Sequence, residues 1–477
     1  MPKLRHPLLS VKSVVKNPAL MPASPRRLLV KNIGHLVTMN ARRDVLRGAW
    51  LASEGGFVTA FGVGAPPPEH AAGASVHDAC GGIATPGLIN THHHFYQTMA
   101  RAYTPGNNLP LLPWLAHMNK LWRPFTADDL KVASKLALAE MMLTGCTTAA
   151  DHHYVVPAGS GDNFAAQFAA AAELGVRFHC ARGSMDVPSS LIGDWAIQTA
   201  DEIMADVDRL RRDFHDPAPG SFRQVFLAPC AATSASKALL VESARYAREH
   251  GLGLHSHCAE TVEEDAFSLE KFGVRPLEYF AECGWDFEGV WFAHGIHFTD
   301  AEVKWLGDRR IGVAHCPYAN MRLGSGICRV GDLQRAGAKV AIGVDGSASN
   351  DSGHLLGELR QALMLARVRY GAGAMSALDA LALGTTGGAE LLRRQDLGSL
   401  EVGKCADLAI FPEVDLHSSG AENPVDALLI CWSRRVESLI VGGEVRIAGG
   451  HFVDLDLDAL VADHTARARR IHAALET

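Results

Sequence analysis

Thr85-Pro-Gly-Leu-Ile-Asn-Thr-His-His-His94 is a short apolar run that ends in three imidazoles, and its reading decides the fold. Ala84 to Thr91 has the composition of a buried β-strand, and two of the histidines follow it directly. In extended chain, alternation puts His92 and His94 on the same side, a spacing that suits two ring nitrogens on one cation. His93, between them, points away and reads as packing.

Outward from that run, from about Gly81 to Tyr370, short β-type runs alternate with amphipathic helical stretches, the pattern of βα units and a parallel sheet. One helix shows the logic. Thr126 with Asp129 forms a capping-box-like start, Leu130, Ala133, Leu136, Ala137 and Met141 supply an apolar face, and Gly145 ends it. The further strands expected are Cys146 to Asp151, Val176 to Ala181, Gln224 to Pro229, Leu252 to His257, Val290 to Ala293, Gly312 to Cys316 and Lys339 to Val344. With the first, eight strands alternating with helices predict a (β/α)8 TIM-like barrel over 81–395, whose working residues lie where strands run out into loops. His92 and His94 follow the first strand, Asp151 and His152 the second, Arg182 the third, His257 the fifth, His294 the sixth and Asp345 the eighth.

Two flanking segments, 25–80 and 396–453, are rich in short β runs and Gly turns, and neither is self-sufficient. Leu28 to Val30, Ala49 to Leu51 and Phe57 to Phe61 read as strands in the first, and Ala406 to Phe411, Ser438 to Val441 and Glu444 to Ile447 in the second. They are expected to pack together as one small β-sandwich built from both chain ends, followed by a closing helix within 454–477. Residues 1–24 carry Lys3, Arg5, Lys12 and Lys16 with no acidic residue and no periodicity, and read as a flexible extension.

The 48% hydrophobic content of the 477 residues can build a large core, and a net charge of -7 without long single-sign runs gives no footprint for nucleic acid or anionic membrane. No apolar stretch of about 18 residues is present to span a bilayer. The 10 cysteines include no C-x-x-C pair, and several, such as Cys146, Cys180 and Cys431, sit in apolar runs, which favours reduced thiols and a cytoplasmic location.

His257-Cys-Ala-Glu260 offers a third imidazole and a carboxylate from one strand end, and Asp345 in Gly343-Val-Asp-Gly346 a second carboxylate from the last strand. Three imidazoles (His92, His94, His257) and Asp345 leave a position open for water, the arrangement of a catalytic rather than a structural site. A second ion would need another strong ligand, and Val225-Phe-Leu-Ala-Pro-Cys230 on the fourth strand holds no lysine, so a single divalent ion is expected. Zinc suits an imidazole-rich set, with iron or manganese able to fill the same ligands. Cys258 reads as a small buried neighbour, His315 as a supporting rather than a ligating residue, and Gly324-Ser-Gly326 and Gly442-Gly443 as turns.

These stretches, with Ala293-His-Gly295, His315-Cys-Pro-Tyr-Ala-Asn-Met-Arg-Leu-Gly-Ser-Gly-Ile327, Val344-Asp-Gly-Ser-Ala-Ser-Asn350 and Gly398-Ser-Leu-Glu-Val-Gly-Lys-Cys-Ala-Asp-Leu408, resemble the amidohydrolase superfamily over nearly the whole chain. The similar branch holds guanine, cytosine and S-adenosylhomocysteine deaminases and triazine hydrolases. Within it, His92-His-His-Phe-Tyr-Gln97, Asp151-His-His153, Arg182-Gly-Ser-Met185 and Ala228-Pro-Cys230 look most like the 8-oxoguanine and isoxanthopterin deaminases. Cys230 stands where many adenosine-type relatives carry histidine. The resemblance implies a hydrolytic deaminase acting on a cyclic amidine and releasing ammonia, with His92, His94, His257 and Asp345 holding the ion and hydroxide adding to the amino-bearing carbon. It further implies that Glu260 moves the water's proton to a ring nitrogen, His294 steadies the attacking oxygen, and Asp345 passes a proton to the departing amine. Homo-oligomers are common in the family.

A flat heterocycle needs an aromatic face and a few fixed donors, so Gln97, Tyr96, Trp114, His117, Tyr154 and Arg182 are candidate substrate contacts. Arg182 is equally able to be a structural ion-pair partner. Two other readings stay open: a triazine amino- or chlorohydrolase of the same superfamily, and a non-catalytic scaffold. Chloride leaves without a proton, so the complete Glu260 and Asp345 pair favours amine loss over the first, and the full ligand set speaks against the second.

Overall fold

The computed structural model describes residues 26–188, 193–431 and 434–475, so the extension expected over 1–24 lies outside the described residues. Eight parallel strands follow one another in order: Leu88–Asn90, Cys146–His153, Arg177–Ser184, Arg223–Pro229, Leu254–Cys258, Val290–His294, Gly312–His315 and Lys339–Ile342. Backbone hydrogen bonds from Thr91 N–H to Ile342 O (3.0 Å) and from Asp345 N–H to His92 O (3.1 Å) draw the last strand onto the first, so the sheet is a nearly closed barrel. Alternation sorts the side chains. Ile89, Ala150, Phe226, Trp291, Ala314 and Ala341 fill the interior, while Phe178, Cys180, Leu254, Phe292 and Val313 pack outward with the surrounding helices.

The first strand departs from expectation. Instead of running from Ala84 to Thr91, the segment is two strands divided at Gly87, because Ile83–Pro86 belongs to the other sheet, paired with Arg27–Val37 on one side and Leu408–Phe411 on the other. Gly87 is the crossing point. Its N–H donates to Asp407 O, and a Cβ there would sit 2.1 Å from the Thr147 hydroxyl oxygen, so only glycine lets the chain pass from sheet to barrel.

That other sheet has nine strands contributed by both ends of the chain, mostly antiparallel. It curls back on itself. Val58 N–H donates to Lys404 O and Ala406 N–H to Gly56 O (each 2.8 Å), so the Phe57–Val63 edge meets the segment leading into Leu408–Phe411. The two faces share one apolar filling that includes Val30, Leu36, Leu51, Ala84, Leu408 and Ile440.

The helix Ala127–Met142 begins with the expected reciprocal cap between Thr126 and Asp129. Asp129 also ties down the C-terminal helix Leu457–Ala473, accepting from Arg467 (2.9 Å) and Arg470 (2.5 Å). Further along that helix, His464 meets the Thr98 hydroxyl at 3.1 Å and His472 the Met99 carbonyl at 2.9 Å. Both contacts fall on the 3-10 helix Phe95–Ala100 that continues from His94, so the chain's last element braces the segment carrying two candidate ligands. Among the described residues no helix is long and apolar enough to cross a membrane.

Arg177, at the foot of the third barrel strand, makes a two-pronged ion pair with Asp407 of the small sheet (2.7 and 3.0 Å), with both side chains almost fully buried. Removing one partner of such a pair strands a buried charge. Asp407→Ala should therefore destabilise the protein by about 3–5 kcal/mol, read as a fall in the thermal unfolding midpoint. An unchanged midpoint would show that the pair does not join the two sheets.

Candidate functional site

At the C-terminal end of the barrel, His92, His94, His257 and Asp345 come together. His94 Nε2 lies 3.2 Å from His257 Nε2, and Asp345 Oδ1 lies 3.3 Å from Nε2 of both His92 and His94. His92, His94 and Asp345 are buried and His257 is partly open to the cavity; burial drives His92 well below the usual imidazole range and pushes His257 down to about 3, which keeps both rings neutral.

Which nitrogen of each ring is bare follows from the partners behind it. His94 Nδ1 faces the His152 carbonyl (2.6 Å) and His257 Nδ1 the Cys230 carbonyl (2.7 Å), so both Nδ1 atoms carry the proton. His255 Nδ1 faces the Trp291 carbonyl (3.0 Å) and must be the donor there, which leaves His255 Nε2 to accept from His92 Nδ1 at 2.7 Å. Each of the three rings thus turns an unprotonated Nε2 inward, those of His92 and His94 onto Asp345 Oδ1 and that of His257 onto His94 Nε2. Among the described residues, His92 Nε2 has no hydrogen-bond partner at all. Lone-pair donors that lie 3.2–3.3 Å from their neighbours without a proton between them repel one another, and a divalent cation is the species that makes such a set favourable. Two groups sharing His92, His92–His94–Asp345 and His92–His152–His257, each bring their ligand atoms within 4.8 Å of one another, and the donor chemistry of imidazoles with one carboxylate fits such an ion.

Beside these candidate ligand atoms sit the two other expected residues. Glu260 Oε2 is 3.6 Å from His294 Nε2, and His294 Nδ1 donates to Asn320 Oδ1 at 2.9 Å. Burial raises the Glu260 carboxyl. For His294 burial acts the other way, but the Glu260 and Asp345 carboxylates outweigh it and its pKa is raised. The backbone is bent to achieve this: Ala259 (φ 55°), His294 (φ 71°) and Asp345 (φ 62°) are all left-handed. By strand alternation His294 would face the helices together with Phe292, and the left-handed turn redirects it to the barrel mouth. Asp345 is fixed further by the Ser349 hydroxyl, which donates to its Oδ2 at 2.8 Å.

A cavity of about 320 Å³ opens over the cluster, lined by His94, His257, Glu260, His294 and Asp345 together with Gln97, Trp114, Tyr154, Cys230 and Phe267. Of the expected substrate contacts, Gln97, Trp114 and Tyr154 line it. Tyr96 is buried behind, edge-on to Trp122 and Tyr154.

His117 and Arg182 are not brought to the cavity. On the helix Leu111–Trp122 the ridge Leu111, Leu115 and Asn119 faces inward, and His117, two residues off that ridge, falls on the other side. Arg182 has the parity of Phe178 and Cys180 and points into the helix layer, where it pairs with Asp206 (3.1 Å) and Gln198 (2.9 Å) over the Phe164 ring. The structural alternative for Arg182 therefore describes its position.

Two supporting residues escaped the reading of the sequence. His255 shares the inward face with His257, so alternation alone could have found it. Asn320 lay within a quoted motif, but no spacing rule aims it at His294. His255→Ala should weaken divalent-metal affinity roughly 10- to 100-fold by freeing the tautomer of His92, checked by competition against a chelator. Equal affinity in variant and parent would show that His255 does not set the ligand.

Residues 83–446 match the amidohydrolase family. The chain is 43% identical over 429 residues to 8-oxoguanine deaminase of Pseudomonas aeruginosa, covering 89% of this chain and 95% of that protein. It is 34% identical over 433 residues to an isoxanthopterin deaminase from an unknown prokaryotic organism, covering 83% and 89% respectively. Among solved structures, atrazine chlorohydrolase of Arthrobacter aurescens TC1, complexed with zinc, superposes with a TM-score of 0.88 at 30% identity, covering 92% of this chain and 100% of that one. With its barrel, its curled sheet from both chain ends and its inward ring of unprotonated imidazoles, this chain belongs to the amidohydrolase family.

Proposed function

We propose that the protein is a divalent-metal-dependent hydrolytic deaminase of a small amino-substituted oxo-heterocycle, an 8-oxoguanine-like purine or an isoxanthopterin-like pterin. The observation that carries this reading is the pairing of two carboxylates, Glu260 and Asp345, on one cavity floor with an imidazole at 3.6 Å from the first. An amine leaves well only as a neutral molecule, so its displacement needs one group to take a proton from water and another to deliver one to nitrogen.

His92, His94, His257 and Asp345 would hold the ion, with zinc the best match to an imidazole-rich set. When bound there, a divalent ion supplies a water acidic enough to serve as a nucleophile near neutral pH. Glu260, its carboxyl raised by burial, takes the proton and hands it to a ring nitrogen of the heterocycle, which makes the adjacent carbon electrophilic. His294, held by Asn320, steadies the attacking oxygen through Nε2. Asp345, oriented by Ser349, would take the remaining proton from the added oxygen and deliver it to the amine as the C–N bond breaks and the carbonyl forms. Trp114 and Tyr154 offer aromatic surface to a planar ring, and Gln97 an amide that reads one donor and one acceptor. The same reading places the enzyme in the cytoplasm, as a homo-oligomer acting on a soluble small molecule.

Metal-reconstituted protein should release ammonia from members of a panel of amino-oxo purines and pterins, and lose that activity on chelation. Glu260→Gln should lower kcat by roughly 10²- to 10⁴-fold with the ring still bound. Release of chloride or an alkylamine from triazines, with no ammonia from the purines and pterins, would replace this reading with the triazine hydrolase one.

A further inference from the structure

Glu358 is a buried acid that the proposed chemistry does not use, in the first turn of the helix Leu355–Tyr370. Each of its oxygens accepts from a different segment of the barrel mouth: Oε2 from the backbone N–H of Tyr318 at 3.1 Å, and Oε1 from the side-chain amide of Asn350 at 2.7 Å.

The first contact supplies a missing cap. The helix Pro317–Arg322 starts from Cys316 with no side-chain cap of its own, and Pro317 has no N–H, so Tyr318 presents one of the donors that a helix start leaves unmatched. Glu358 matches it from another helix. Two residues on, Asn320 accepts from His294 Nδ1 at 2.9 Å, so the same bond anchors the helix that holds the His294 ring. The second contact closes a turn. Asn350 Nδ2 donates to the Val344 carbonyl at 2.6 Å as well as to Glu358, and because a carbonyl can only accept, Val344 fixes which way the amide points. Between Val344 and Asn350 lie left-handed Asp345 and Ser349, whose hydroxyl donates to the Asp345 carboxylate. Burial pushes the Glu358 carboxyl up to about 8 while its two N–H donors pull it the other way, and each oxygen keeps a lone pair for its donor whether or not the group carries a proton.

We propose that Glu358 is a positioning residue that sets His294 and Asp345 relative to each other, one oxygen holding the Asp345 turn through Asn350 and the other the Asn320 helix through Tyr318. The inference rests on the deaminase reading for the reaction, in which His294 and Asp345 serve the same intermediate, but on the hydrogen bonds of Glu358 for their placement. Loosening them should therefore cost turnover more than binding of the ring.

Glu358→Met removes both acceptors and keeps most of the bulk. It should lower kcat about 10- to 100-fold while KM stays within about threefold, and weaken zinc affinity about 10- to 100-fold through Asp345, read by competition against a chelator. Asn350→Ala should weaken zinc affinity as well, and the double variant about as much as Asn350→Ala alone, because both changes remove the same bond. Glu358→Gln restores one acceptor and should recover part of the loss. It also serves if the methionine variant does not fold: with one contact kept, either kcat alone or kcat and zinc affinity together should fall. Folded Glu358 variants that keep the parent's kcat and zinc affinity, even with a lowered unfolding midpoint, would overturn the inference, as would losses in zinc affinity that add fully to those of Asn350→Ala. The coupled loss of zinc affinity in protein that releases no ammonia from any ring would sink the deaminase reading and leave the role of Glu358 standing.

Discussion

The inward arrangement of His92, His94 and His257 depends on what stands behind each ring. A neutral imidazole has one proton to place, and a hydrogen-bond acceptor on its outer nitrogen decides where it goes. Here the acceptors belong to the architecture: carbonyls of His152 and Cys230 at the ends of neighbouring strands, and for His92 a relay through His255 to the carbonyl of Trp291. Because the barrel fixes those carbonyls, it fixes the tautomers, and because it fixes the tautomers, three bare nitrogens and a carboxylate lie side by side at the barrel mouth. Left without a cation the set is repulsive. The fold therefore stores, at its mouth, a demand for positive charge.

Meeting that demand costs backbone strain, and the surrounding structure bears it. Ala259, His294 and Asp345 take left-handed conformations that non-glycine residues adopt at a cost of order 1–3 kcal/mol each. Each is held by a neighbouring group. Glu264 braces the turn at Glu260, Asn320 holds the ring of His294, and Asp345 is tied by its own N–H to the His92 carbonyl and by its carboxylate to Ser349. The small sheet takes part at a distance, since Ile83–Pro86 and Leu88–Asn90 are one continuous segment threaded through Gly87 and the Arg177–Asp407 pair locks the two sheets together. The C-terminal helix completes the support by clamping the turn after His94.

The residues that meet at the site were legible in the sequence because a parallel barrel places functional side chains at strand ends, and strand ends can be read from short apolar runs that stop at His or Asp. His92, His94, His257, Glu260, His294 and Asp345 all obey that rule. What failed did so for stated geometric reasons. Arg182 ends a strand too, but its parity sends it outward. His117 sits on a helix with an inward ridge that no sequence pattern placed. The run from Ala84 to Thr91 reads as one strand because both halves are buried and apolar, and only the steric closeness of Gly87 to Thr147 shows where it divides. Asn320 and Glu264 act through contacts between segments distant from strand ends or displaced by a helical turn, and nothing in local periodicity points to them.

The most direct test of the account is X-ray absorption at the metal edge of zinc-reconstituted protein. One ion per chain in a shell of nitrogen and oxygen alone, with imidazole scattering from three rings at roughly 2.0–2.1 Å, is the predicted result. A sulfur neighbour at roughly 2.3 Å, which would bring in Cys230 or another thiol, or fewer than three imidazoles, would contradict it.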